Sequence, residues 1–165
     1  MINFKAIRDA IFSGMNKSLE PQAIEANQTS YKPDYPFYTV LFAVPNQGFS
    51  PHTGVYDNES TAESLKQHRR AQEKMTLSIS SFSDNGADAL QNAYSAAEWF
   101  AWTGYEYLKE KGIIVVRLEQ IENRDVLKED EYERRYGFDV HLRVSSQSTI
   151  ETDEWIEEIE LKESE

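Results

Sequence analysis

The sequence predicts an α+β fold in which two main helices pack on one face of a largely antiparallel β-sheet. Residues 136–144 alternate between apolar and polar side chains, which is typical of a strand with one buried face. Residues 84–111 show the three- and four-residue apolar spacing of a long helix that ends at Gly112. With the shorter segments, the elements follow the order α-β-β-α-β-β, which favours a sheet with its helices on one side.

The first helix is predicted in residues 2–17. Phe4, Ile7, Ile11 and Met15 recur at helical spacing, and the side chain of Asn3 can cap the first turn. The stripe favours a helix that lies on the sheet, with packing against a neighbouring subunit as the alternative.

Residues 20–36 predict an extended connector, because their three prolines fix φ and remove backbone donors. Residues 37–44 (FYTVLFAV) then predict a strand that Pro45 ends. Both alternating faces of this strand are apolar, so we expect it to be covered on each side.

Residues 45–73 are the longest irregular stretch, and a connection of this length is expected to be functional or disordered. Its second half, residues 61–73, has weak helical character. A solvated surface is the simplest interpretation of the basic side chains there. In so acidic a chain, a basic patch is also a natural partner for an acidic patch on another copy. These basic side chains are Lys66, His68, Arg69 and Arg70, and Lys74 follows them.

Residues 75–79 alternate as a half-buried strand, and the central helix follows. Ser83 or Asp84 is the expected N-cap of that helix. Its apolar stripe contains small residues, which suggests a close approach to the sheet. The stripe comprises Leu90, Ala93, Ala97, Phe100 and Gly104.

The aromatic side chains of the central helix lie on more than one side, which indicates a second buried face. We expect Trp99, Trp102 and Tyr105 to divide between the core and a contact between subunits. Base stacking by these tryptophans is disfavoured, because no basic groove accompanies them.

Residues 113–121 and 136–144 predict the next two strands, and residues 145–165 form an acidic tail. The tail fits a strand or a helix, and we favour a further, hairpin-paired strand. Its apolar side chains are Ile150, Trp155, Ile156, Ile159 and Leu161.

Composition favours one soluble domain over residues 1–165. The formal net charge is −12, which argues against general binding to nucleic acid or to an anionic membrane surface. The absence of cysteine excludes disulfides and thiolate metal sites and fits a reducing cytosol. The N-terminus has no apolar run long enough for a signal peptide or a membrane span.

No motif in the sequence indicates catalysis, a bound cofactor or a metal site. Phosphate-binding glycine loops and a nucleophile elbow are absent. The histidines, His52, His68 and His141, do not have the spacing of metal ligands. We favour a solvated charged segment over a divalent cation held by the tail.

Three segments that span most of the chain carry a family resemblance. They are ANQTSYKPDYPFYTVLF at residues 26–42, the pattern MTLSISSFSDN…A…A..WF at residues 75–100, and GYEYLKEKGIIVVRLEQIENRDVLKEDEYERRYGFDVHLRV at residues 104–144. With these segments the chain resembles the tail-terminator (neck, or tail-completion) proteins of tailed bacteriophages. The shared pattern contains no catalytic signature.

The resemblance implies a tail-terminator-like sandwich fold and a virion protein that caps the tail tube as a ring, typically a hexamer. Such a ring stops growth of the tube and presents a surface to the connector on the head side. The implied partners are further copies of the chain, the tail tube protein, the sheath protein and head-side connector proteins. Genomic DNA only passes through the lumen, and assembly takes place in the host cytoplasm.

A ring uses heterologous contacts, so each subunit needs two different complementary faces. The basic stretch 66–74 and the acidic stretch 153–165 are the predicted pair, and aromatic side chains supply buried area. The alternatives are a connector adaptor placed one ring higher and, less favoured, a small metal-dependent enzyme. The candidate contact residues are Lys66, Arg69, Arg70, Lys74, Trp99, Trp102, Tyr105, Glu154, Glu157 and Glu158.

Overall fold

The computed structural model describes residues 1–29, 31–48, 54–60, 64–129 and 131–152. Over these residues the chain forms three α-helices and a mostly antiparallel sheet of eight strands, which confirms the predicted α+β class. The helices are α1 (Phe4–Ser18), α2 (Gly86–Glu98) and α3 (Tyr105–Glu110). The strands are β1 (Ala23–Glu25), β2 (Phe37–Val44), β3 (Val55–Ser60), β4 (Leu65–Ser83), β5 (Ile113–Leu118), β6 (Glu122–Asn123), β7 (Val126–Lys128) and β8 (Glu131–Thr152).

The sheet is built around the pair β4 and β8. Its main order is β1-β2-β4-β8-β5, with β3 on the same side of β4 as β2, and β6 and β7 beside β8. Strands β1 and β2 are parallel, and the remaining pairs are antiparallel. Strands β4 and β8 pair without a register shift from Leu65–Thr152 to Ser83–Arg134, over about 60 Å.

The helices cover one face of the sheet and form the core there. Alternate residues of β4 and β8, such as Leu77 and Leu142, are buried beneath α1 and the central helix. On β2, Tyr38 is fully buried, and its hydroxyl donates to the carbonyl of Asn92 at 2.8 Å. Burial raises the pKa of Tyr38 to about 12. Contrary to expectation, β2 is covered on both faces only at its start, and Leu41 is exposed.

The two helix starts differ in how well the sequence predicts them. The predicted N-cap of α1 is confirmed, because Asn3 Oδ1 accepts from the backbone N–H of Ala6 at 3.1 Å. The predicted N-cap of α2 is wrong, because Ser83 is still part of β4. Asn85 is the cap instead, and its Oδ1 accepts from the N–H of Asp88 at 2.8 Å.

The central helix is interrupted by a π-helical turn, Trp99–Thr103, between α2 and α3. The N–H of Gly104 donates to the carbonyl of Trp99 at 2.8 Å, five residues earlier. A Cβ on Gly104 would lie 2.3 Å from the Trp99 ring, and one on Gly14 of α1 would lie 2.7 Å from it. Both glycines therefore make room for this indole, and Gly104 approaches Trp99 more closely than it approaches the sheet. As predicted, the helical segment stops at Gly112, where φ is +75°.

The predicted irregular stretch 45–73 is largely a β-hairpin in its described residues. Strand β3 pairs with residues 65–70 of β4, so this part of residues 61–73 is a strand and not a weak helix. Residues 145–152 are likewise the end of β8 and not a further strand. Pairing along a 22-residue strand overrides the weak local preferences of these polar residues. The rest of the predicted tail, residues 153–165, lies outside the described residues.

Candidate assembly surfaces

A three-stranded arm continues the sheet away from the helices. We define the arm as β3, residues 65–72 of β4 and residues 145–152 of β8. All of β3 is exposed, and no residue of the arm belongs to the contiguous hydrophobic cluster under the helices, although Ala71 and Ser146 are buried where the arm begins. Backbone pairing holds the arm together, so its side chains are available on two faces.

One face of the arm carries the charges. Directly opposed residues share a face in an antiparallel pair, which places Lys66, His68 and Arg70 of β4 together. Lys66 Nζ lies 3.3 Å from a carboxylate oxygen of Glu151, and Arg70 Nη2 lies 3.9 Å from a carboxylate oxygen of Asp57. Most of the predicted basic cluster is therefore partly neutralised by acidic residues of the arm itself.

The opposite face of the arm, on the helix side of the sheet, is nearly neutral. Arg69 is the one charged side chain among the described residues of this face, so the neighbours Arg69 and Arg70 point to opposite sides. Tyr56 and Ile150 are exposed apolar side chains beside it. Together with Gln67 and Ser148, they line a shallow cleft.

Lys74 lies where the arm joins the helix-covered sheet, and it faces a like charge. Its partner across the β4–β8 pair is Arg143, and both side chains are exposed. No carboxylate of the described residues lies within 4.0 Å of either cation. Directly opposed like charges are unfavourable, so this position favours an anionic group from outside the described chain.

The aromatic candidates of the central helix differ in their exposure to solvent. Trp99 is 2% exposed and packs edge-on against Phe100 at 4.8 Å between ring centroids, so it is not available for a contact between subunits. Trp102 is 78% exposed on the π-helical turn, and Tyr105 is half-buried. The remaining candidates, Glu154, Glu157 and Glu158, lie outside the described residues.

Sequence reasoning missed a buried carboxylate at the base of the β7–β8 hairpin. The side chain of Glu133 is 7% exposed, and it accepts from Lys128 Nζ and the Tyr35 hydroxyl, each at 2.8 Å, and from Lys32 Nζ. Burial alone would raise the pKa of Glu133, but these donors outweigh it and lower the pKa to about 2. The cluster joins the proline-rich connector to the hairpin. About a hundred residues separate Lys32 from Glu133, so no local pattern reveals the contact.

The described histidines form ordinary side-chain contacts. His141 lies 2.9 Å from Glu119 and 3.2 Å from Thr76, and His68 lies 2.9 Å from Thr149. Within the described part of the chain, no group of three or more His, Asp or Glu side chains is placed to hold a metal ion. A search of the same residues finds no helix with the length and apolarity needed to cross a membrane.

Comparison with known proteins identifies one family. A family model described as phage neck terminator protein matches residues 3–165, which is nearly the whole chain. No curated protein matches the sequence. The family is structural and belongs to the phage neck, which implies a virion component that associates with other tail or head proteins. Since the match extends over the helices, the sheet and the arm alike, the chain belongs to the phage neck terminator protein family.

Proposed function

We propose that this protein forms a hexameric ring that caps the tail tube, ends tail elongation and joins the tail to the head connector. The observation that carries the proposal is the family match over residues 3–165. The ring has a structural role without catalytic turnover, and DNA passes through its lumen without specific binding.

The distribution of surfaces on one subunit supports a ring. A closed ring needs two different complementary faces on each copy. The arm lies at one end of the β4–β8 pair and presents backbone and mixed polar side chains. Trp102 on the π-helical turn is a separate, exposed aromatic group on the helix layer. Aromatic side chains of this kind are enriched at protein interfaces, where they supply buried area.

The charge distribution supports contact between an acidic segment and the open face of the sheet. Residues 153–165 contain seven acidic side chains and one lysine. The cations Lys74 and Arg143 are unmatched within the described chain, as shown above. An acidic segment of another copy would relieve their repulsion and raise the rate of encounter.

The direct test is the mass of the protein. Native mass spectrometry of the free chain, and of its mixture with the tail tube protein of the same phage, should show a closed oligomer of six copies. A chain that stays monomeric at high concentration and adds no mass with the tube protein would refute the proposal.

Charge reversal tests the predicted pairing between copies. Lys74→Glu with Arg143→Glu should lower the fraction of ring, and Glu154→Lys with Glu157→Lys and Glu158→Lys should restore part of it. The matched control is Lys5→Glu with Lys17→Glu, which makes the same charge change at exposed positions of α1. Equal ring fractions in the control and the Lys74/Arg143 variant would discard the pairing but would leave the ring itself in place.

A further inference from the structure

The arm has two sheet edges along which no strand of the described chain pairs. Residues 146–152 of β8 extend past β5, whose pairing stops at Val144, and no described strand lies along the outer side of β3. Natural proteins block unwanted pairing with proline and with charged side chains, above all lysine. Neither edge contains proline or lysine, and the carboxylates Asp57, Glu59 and Glu151 each lie within 4.0 Å of a basic side chain of β4. By contrast, the other edges are short or irregular, since β1 has three residues and β5 has a register shift after Val115.

These two edges run in the same direction. Strand β3 is antiparallel to β4, and β4 is antiparallel to β8, so β3 and β8 are parallel to each other. If the sheet continues from one copy to the next in the same orientation, β8 of one protomer meets β3 of its partner as a parallel pair.

The backbone groups on the β8 edge can be assigned from an existing hydrogen bond. The N–H of Ser145 donates outward to the carbonyl of Gly112 at 3.3 Å. In a strand, every second residue directs both N–H and C=O to the same side, so Gln147, Thr149 and Glu151 also face outward. The Met1 ammonium donates to the Gln147 carbonyl at the start of this edge, and Thr149 and Glu151 lie beyond it.

The same alternation fixes the outward groups of β3 and the faces of their side chains. The pairings of β4 with β8 and with β3 carry this alternation over to β3. On β3, the N–H and C=O groups of Tyr56, Asn58 and Ser60 point away from the arm. Their side chains lie on the helix side, whereas those of Thr149 and Glu151 lie on the open side. In a parallel pair, a residue whose N–H and C=O point toward the partner strand bonds to two partner residues, which flank the residue directly opposite it. The residue directly opposite has its side chain on the same face, so the two bonding residues have theirs on the other face. The outward-facing residues of β3 and of β8 must therefore carry their side chains on opposite faces of the sheet. The arm meets this condition, and successive copies therefore keep their helices on one side of a continuous sheet.

We propose that residues 146–152 of β8 in one protomer pair in parallel with β3 of the next, so that the arms of the ring form one continuous sheet. The occupant of each edge is a second copy of this chain, and the contact is heterologous, as ring closure requires. On the helix side, Asn58 then lies beside Ser148 or Ile150, depending on register, without any charged neighbour from either strand. This inference rests on the proposed function, because it describes how the ring closes.

Cysteine cross-linking tests the pairing, since the natural chain has no cysteine. The test variants are Asn58→Cys combined with Ser148→Cys and, for the other register, Asn58→Cys combined with Ile150→Cys. Within one chain, β4 separates β3 from β8, so these positions are about 10 Å apart or more, beyond the roughly 7 Å limit for a disulfide. Between adjacent strands of two protomers, the separation is about 5 Å.

Mild oxidation should convert one of the two test variants from monomer into a ladder of covalent oligomers on a non-reducing gel. The matched control is Asn58→Cys combined with Thr149→Cys, whose side chains lie on opposite faces, and it should stay monomeric on the gel. Asn58→Cys alone should also give no ladder.

The outcomes separate this inference from the proposed function. A ring seen by native mass spectrometry without cross-linking in either test variant would overturn the edge pairing and leave the ring intact. Equal cross-linking in the Thr149→Cys control would overturn the parallel arrangement. A monomer in every condition, including with tube protein, would overturn both proposals.

Discussion

The same two strands, β4 and β8, build two regions of opposite character. Near the helices, alternate residues such as Met75, Leu77 and Leu142 are fully or almost fully buried. In the arm, the backbone pairing continues without a shift, yet the equivalent positions hold Gln67 and Arg69, and little is buried. Side-chain chemistry along the strands, more than backbone pairing, therefore decides where the helices dock.

The two regions are expected to contribute differently to the stability of the folded subunit. Apolar burial contributes most of the free energy of folding, and it is concentrated under α1 and the central helix. A region with few buried apolar contacts is expected to open locally at lower free energy than the core. The arm can therefore be altered to probe a contact between copies without unfolding the subunit.

The largest difference in stability is expected between the two neighbouring tryptophans, one buried and one exposed. Trp99→Ala should lower the free energy of unfolding by about 3–5 kcal/mol, because it removes the indole that fills the space left by Gly14 and Gly104. Trp102→Ala should change it by at most about 0.5 kcal/mol. Urea denaturation followed by far-UV circular dichroism measures both values. Similar losses for the two variants would show that Trp102 is part of the core.

A second pair tests the comparison within β8 itself. Leu142 is 1% exposed and Ile150 is 64% exposed on the same side of the strand. Leu142→Ala should cost about 2–5 kcal/mol, and Ile150→Ala at most about 0.5 kcal/mol. A loss above about 2 kcal/mol for Ile150→Ala, measured on monomer by denaturation, would mean that the arm is integral to the folding unit.

The sequence predicts the helix-covered region better than the arm. Regular alternation at residues 75–79 and 136–144 identifies β4 and β8, because the apolar side chains there are buried, apart from the half-buried Tyr136. Residues 65–72 carry no such alternation, so only their hydrogen bonds to β3 and β8 define them as strand. Such long-range pairing leaves no local periodic signal.

The candidate contacts show the same limit. Local spacing placed Arg69 and Arg70 in one cluster, but strand geometry directs them to opposite faces. The predicted apolar stripe assumes a regular helical period, and the π-helical turn changes the direction of the side chains that follow Trp99. The sequence therefore identified which residue types could serve assembly, while the backbone determined which of them are exposed.

At the other end of β8, the buried Glu133 cluster is expected to stabilise the fold in a pH-dependent way. The folded pKa of Glu133, about 2, lies below the ordinary value of 4.5. Its contribution to stability is thus fully present above about pH 4.5 and is lost as the pH falls toward 2. Glu133→Gln should cost about 2–3 kcal/mol at pH 7, and the difference from the natural chain should shrink between pH 4.5 and 2.

Urea denaturation at pH 7, 4 and 3 gives this difference directly. The matched control is Glu131→Gln in the same hairpin, where the side chain is exposed and the expected loss is at most about 0.5 kcal/mol. A difference that stays constant from pH 7 to 3 would show that the pKa of Glu133 is the same in the folded and unfolded states, so that the cluster does not stabilise its charge.

The smallest effect is expected for the charges of the arm. Lys66 and Glu151 are about half exposed, with side-chain values of 43% and 52%, so solvent screens their attraction. A double-mutant cycle with Lys66→Gln and Glu151→Gln should give a coupling of about 0.2–1 kcal/mol. A coupling above about 2 kcal/mol would mean that ion pairs hold the arm in the folded subunit. With a small coupling, a loss of ring in these variants reports the contact between protomers, because the subunit itself stays folded.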